Sequence, residues 1–174
     1  MGGNHARIEA PYIIRSEETG YYYLLVTFGG LGADGGYNVR VGRSKDVEGP
    51  YLDPMGQDLR ECRSDPSLPL FDDASIEPYA AKLMGNHRFT MESTAEDGSA
   101  VETVGQGYVS PPGHVSAWTD PADGESYLFF HTRFPPETGR CTRCGVHRLR
   151  MTSTGWLVVT PHRYGGESSR TSGG

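Results

Sequence analysis

Three runs near the start of the chain carry the apolar pattern of strands: APYIIR (10–15), YYYLLVTF (21–28) and YNVRVGRS (37–44). Each is rich in β-branched and aromatic residues, which suit the pleated, half-buried surface of a sheet. The residues between them are turn formers. SEETG (16–20) reads as a short hairpin loop and GGLGADGG (29–36) as a glycine-rich loop. KDVEGP (45–50) reads as a turn leading into YLD (51–53). This order predicts a four-strand antiparallel meander whose fourth strand is 51–53.

The pattern then breaks. Residues 54–78 are polar and irregular and read as a long insertion, part of it mobile. YAAKLMGNHRF (79–89) resumes order with a strand-like KLMG, and MESTAEDGSAVET (91–103) reads as a loop. A second meander follows: HVSAWTD (114–120), SYLFFHTRF (126–134), GVHRLRM (145–151) and WLVVTP (156–161), with turn residues between. The tail 165–174 is low in complexity and expected to be disordered.

The two meanders correspond. PYIIRSEETGYYYLLV aligns without gaps on VSAWTDPADGESYLFF at an offset of 104, VRVGRS on VHRLRM at 107 and GPYLD on GWLVV at 106. Repeated four-strand units point to β-propeller blades, with units at about 8–92 and 108–162. Two blades do not close a ring, which takes about four to eight. The chain therefore reads as all-β, part of a larger propeller, with a β-sandwich as the other architecture.

Composition removes several function classes. The net charge is −6 and no Lys/Arg stripe is present, which argues against nucleic acid. No apolar run approaches the roughly 18 residues of a membrane span. MGGNHARIEA has no apolar core of a signal peptide, so localisation is not fixed by the sequence. Cys62, Cys141 and Cys144 are too few and too odd in number for a disulfide framework.

Several residues bear candidate chemistry. Glu9 is a carboxylate inside an apolar run, either an exposed edge residue or an acid lining a pocket. His114, in PPGHVSAW, is a metal ligand or a satisfied polar residue. Cys141, Cys144 and His147 sketch an incomplete zinc site that lacks a fourth ligand, so incidental thiols are the favoured reading. Asp72, Asp73 and Glu77 form an acidic patch best read as a solvated loop. The glycine-rich loop matches no phosphate-binding pattern.

IEAPYI, GGYNVRVGRSKDVEGPYLDP, AKLMGN, GYVSPPGHVSAW, YLFFHTRFP and PHRYGGE, in this order, resemble the endo-1,5-α-L-arabinanases of glycoside hydrolase family 43. The likeness runs from about residue 4 to 167 and is broken at 60–78. It implies the last two blades of a five-bladed propeller whose channel mouth hydrolyses internal α-1,5 bonds of arabinan with inversion. Three carboxylates act in that family: a general base Asp, an Asp that tunes the acid, and a general acid Glu, which corresponds to Glu9. Both Asp motifs lie upstream of the Glu motif, so the chain is expected to hold the acid without them and to be inactive or nearly so alone. The resemblance makes His114 a calcium ligand with waters completing the shell, although this chain has Val115 where the motif has Asn. It makes Phe28, Tyr37, Asn38 and Arg133 candidate contacts to arabinan or an arabino-oligosaccharide. Enzymes of the family are usually extracellular.

Two other functions compete: a non-catalytic carbohydrate-binding or scaffold fragment, and a small metal-binding module built on the cysteines. A two-blade piece also leaves sheet faces open, so self-association or docking of further blades is expected.

Overall fold

In a computed structural model the described residues are 7–30, 36–69, 72–76, 79–85, 88–106, 110–133, 142–161 and 164. The tail 165–174, Cys141, Glu77 and most of the glycine-rich loop lie outside them. The apolar runs become strands. β1 (Ile8–Arg15), β2 (Tyr22–Phe28), β3 (Asn38–Ser44) and β4 (Ala81–Gly85) form one antiparallel sheet in sequence order. β5 (Arg88–Thr94) and β6 (Ala100–Gln106) pair only with each other. β7 (Ser110–Thr119), β8 (Ser126–Arg133), β9 (Arg143–Met151) and β10 (Leu157–Val159) form the second four-stranded sheet.

Two elements differ from expectation. The fourth strand of the first sheet is β4, not 51–53. Leu52 makes only a single bridge to Arg43. The buried Asp53 carboxylate accepts from the amides of Met55 and Gln57, at 2.8 and 2.9 Å, and turns the chain away from the sheet. The ladder along 38–41 of β3 is then taken by 81–85. Residues 91–103, expected as a loop, lie within the β5–β6 hairpin, which pairs without a bulge from Arg88↔Gln106 to Thr94↔Ala100. Its stretch lacks a strand-like alternation. Its turn chemistry was the available signal: Asp97 Oδ1 accepts from the Ser99 amide, and Gly98 takes φ +83°.

The two sheets pack face to face. Tyr23, Leu25, Val39 and Val41 of the first meet Val115, Ala117, Leu128, Phe130, Leu149 and Leu157 of the second. Burial of such side chains contributes about 1.5–3 kcal/mol each. Polar ties cross the seam as well, among them Tyr12 Oη donating to Ala117 O (2.6 Å), Tyr23 Oη to Gly155 O (2.8 Å), and Arg43 Nη1 to Thr154 O (2.9 Å). The opposite face of the first sheet is covered by the insertion. Leu59, Cys62, Ile76 and Ala80 line a small apolar space with Leu24, Val26 and Phe28. Gly42 makes room for this cover, because a Cβ there would collide with the Leu59 side chain. The insertion is irregular as expected, yet Cys62, Ser64, Ser75 and Ile76 within it are buried.

Candidate functional site

Glu9 stands on β1 opposite Thr27, at the edge of a bulge where one extra residue lies between the Glu9 and Tyr12 pairings. Ala10, inside the bulge, has φ +50°. Its counterpart recurs in the second sheet: Gly113 pairs with His131, Ser116 with Phe129, and the extra residue His114 has φ +51°. A bulge bends its strand and re-aims side chains. Glu9 and His114 are both exposed there.

The sheets meet at these bulges. The His114 amide donates to Thr27 Oγ1 at 2.8 Å. Gly113 lies under the Tyr37 ring and beside the Thr27 methyl, with no space for a Cβ. Tyr37, only 3% exposed, stacks on His131 with ring centroids 6.1 Å apart and a 28° interplanar angle. The His131 ring lies 5.4 Å from that of His114. Burial, then the neighbouring His114, holds the His131 imidazole below the usual histidine range; Glu9 opposes this and Arg133 reinforces it. One end of the seam thus gathers Glu9, Tyr37, His114, His131 and Arg133.

The other expected contacts sit deeper. Phe28 and Asn38 are fully buried. Asn38 donates to Gly36 O (2.8 Å) and accepts from Arg40 Nε (2.6 Å), which fixes the base of the glycine-rich loop. Arg133 is half-buried, and its Nε is buried without a hydrogen-bond partner among the described residues. His131 Nε2 is in the same condition. His131 was not foreseen from the sequence. Its signal was the repeat, which sets it against Thr27.

Among the described residues no three His, Cys, Asp or Glu side chains converge closely enough to hold a metal ion. Cys144 is exposed, Cys141 lies outside the described residues, and His147 is buried with Nδ1 2.5 Å from Thr160 O. Asp72 is a local cap: its Oδ1 accepts from the Ala74 amide at 2.9 Å. Among the described residues no helix is long and apolar enough to cross a membrane.

No protein-family model matches the chain. It is 48% identical, over 97% of its own length and 33% of the relative's, to an extracellular endo-α-(1→5)-L-arabinanase 2 of Bacillus subtilis. A solved glycoside hydrolase family 43 protein of Bacillus licheniformis superposes with a TM-score of 0.72 and 47% identity, covering 95% of this chain and 34% of that one. A solved endo-1,5-α-L-arabinanase of Thermotoga petrophila gives a TM-score of 0.73 and 43% identity, at 95% and 34% coverage. These neighbours are five-bladed propellers, so the two four-stranded sheets are blades of a partial propeller. The chain spans about a third of the length of the relatives it matches.

Proposed function

The chain belongs to the glycoside hydrolase family 43 arabinanases as a partial-length member, and we propose that it is the acid-bearing part of an endo-1,5-α-L-arabinanase propeller. The observation that carries this reading is Glu9, exposed at the bulge of β1 and within electrostatic reach of His131. The protonated Glu9 carboxyl would donate to the glycosidic oxygen as the C1–O bond breaks. In an inverting site a second carboxylate, roughly 6.5–9.5 Å away, deprotonates the attacking water on the opposite face of the sugar. That base, and the Asp that tunes the acid, are assigned to the two thirds of the relatives that this chain does not span.

An acid that works near neutral pH is kept protonated by burial or a like-charged neighbour. Glu9 is exposed here, which supports low or no turnover by the 174-residue chain alone. Calcium enters the same reading. The exposed His114 imidazole offers one nitrogen, and an oxygen-preferring ion would take waters for the rest. Bound there, the ion would supply positive charge at the channel mouth. By the relatives' names, the polymer would be met outside the cell.

The test is reducing-sugar release from linear arabinan, by the chain alone and by the chain fused to the remaining part of a relative's propeller. The fusion is expected to turn over and the Glu9→Gln fusion to fall by orders of magnitude. Equal activity in both fusions overturns the acid assignment. A fusion that binds arabinan without turnover leaves the carbohydrate-binding fragment as the function.

A further inference from the structure

At the end of the seam away from the bulges the two blades part around a cavity of about 650 Å³. That lies within the roughly 300–1,000 Å³ of ligand pockets. The floor is aliphatic: Ile14 from the first blade, Leu149, Met151 and Leu157 from the second. The rim is charged, with Arg15, Glu17 and Glu18 on one side and Arg150 on the other. Arg15 ends the strand that carries Glu9, so strand rise puts the cavity about 15–20 Å from the acid.

The blade turn does not need these charges. The repeat sets Arg15, Glu17 and Glu18 against Thr119, Pro121 and Ala122, none of them charged. Both turns close with the same backbone bonds, Gly20 N–H to Ser16 O and Gly124 N–H to Asp120 O, each 2.8 Å. The charged rim is therefore an addition to the first blade. Its polar atoms are within reach of solvent. Arg15 pairs with Glu17 at 2.5 Å and Arg150 with Glu125 at 2.6 Å, yet the Arg15, Glu17 and Arg150 side chains stay 48%, 81% and 42% exposed. Exposed pairs of this kind are weak, so a ligand can share or replace them at little cost.

Resting on the arabinanase reading, we propose that this cavity is a second carbohydrate site, remote from Glu9, which holds a stretch of neutral furanoside chain. The chemistry of the lining selects that class. Guanidinium groups donate, carboxylates accept, and the Thr119 and Ser126 hydroxyls do both, which suits sugar hydroxyls. The aliphatic floor suits the C–H face of a furanose ring. The two rim arginines are balanced by Glu17 and Glu18, and Glu125 adjoins Arg150, so an anion such as a phosphate gains no net attraction. Each wall comes from a different blade, so the site exists only where the blades are packed. It would hold the polymer on the molecule while another stretch is cut.

Titration of the chain with linear arabinopentaose, followed by nuclear magnetic resonance of the methyl groups, tests the site. Binding is expected to shift the Ile14 and Met151 methyl signals. Thr119→Trp puts a bulky ring at the exposed rim and Arg150→Met removes a donor; each should weaken the binding read at those methyls about fivefold or more. Glu9→Gln should leave those shifts unchanged. Methyl signals that do not move, or move with unaltered affinity in both variants, overturn this proposal. So do shifts confined to the surroundings of Glu9 and His114, and so does displacement of the sugar from the cavity by inositol hexakisphosphate, which would mark an anion site. None of these outcomes touches the acid assignment, which the turnover of the fused propeller decides separately. The shifts are read on the unaltered chain, so they decide the matter even if a variant fails to fold.

Discussion

Ala10 and His114, 104 residues apart, share one backbone conformation, φ +50° and +51°, at matching bulges in the first strands of the two blades. Left-handed backbone is unfavourable for residues with a Cβ, by about 1–2 kcal/mol. That two unlike residues accept it at the same place shows that the bulge belongs to the blade. Ala10→Val adds a branched Cβ to this conformation and is expected to destabilise by about a further 1 kcal/mol. Ala10→Gly should stay close to the unaltered chain. Urea denaturation of the two variants checks the difference, and equal stabilities would remove the strain argument.

Gly113 occupies the position where the first blade has Glu9. A Cβ at Gly113 would lie 2.6 Å from the Thr27 methyl and closer still to the Tyr37 ring. Gly113→Ala is therefore expected to cost about 1–3 kcal/mol by overpacking. Tyr37→Leu in the same chain should recover part of the loss. A double-mutant cycle in denaturant reads the coupling, and additive losses would show that the contact is not the cause.

Arg43 fastens the blades at the other end of the seam. Its guanidinium carbon lies 4.4 Å from the Tyr21 ring centroid and 4.2 Å from that of Trp156, while Nη1 donates to Gly155 O at 2.5 Å. Lysine keeps the charge but loses the planar stacking and the fork. Arg43→Lys is expected to cost about 1–2 kcal/mol. It should also change the fluorescence of Trp156. Thermal unfolding and emission spectra of the chain check both, and an unchanged spectrum would mean the stack is absent.

Burial pushes the Cys62 thiol up to about 11 from an ordinary 9.0, and the nearby Asp53 carboxylate adds to the shift. The unfolded chain then loses this proton at lower pH than the folded chain. Stability is unaffected by this group below about pH 9 and falls as pH rises from 9 towards 11. Cys144 is exposed, so iodoacetamide should label it in the native chain and Cys62 only after unfolding. Peptide mapping reads the labels. Native labelling of Cys62 would contradict the burial.

The far face of the second blade exposes Trp118 and Val158, at 49% and 41%. Trp118 stacks on Tyr127, with ring centroids 6.1 Å apart. Such a face is expected to make the chain self-associate as its concentration rises, and Trp118→Lys to shift it towards monomer. Sedimentation at several concentrations checks this. A strictly monomeric unaltered chain would rule it out.

The strands were legible because their signal is local. β-branched and aromatic runs bounded by turn residues predicted β1–β3 and β7–β10, and the repeat predicted two matching sheets. Glu9 and His114 stood out in the sequence as candidates carried by a resemblance, and the structure adds where they stand, at the two matching bulges. The fourth strand of the first blade was not legible, because 51–53 and 81–85 both have strand character. Only the Asp53 turn and the free ladder along β3 select between them. The polar hairpin 88–106 was hidden by its composition, which resembles a loop until the two arms pair.

By itself the sequence determined the all-β class, the doubled blade and the position of the IEAPYI motif, since each is written in neighbouring residues or in a fixed offset. The tertiary structure alone decided which side chains meet. Tyr37 reaches His131 across the seam, Gly113 clears the space between them, and Phe28 and Asn38 turn inward. Those contacts join residues up to about a hundred positions apart, and they exist only once the two sheets have packed face to face.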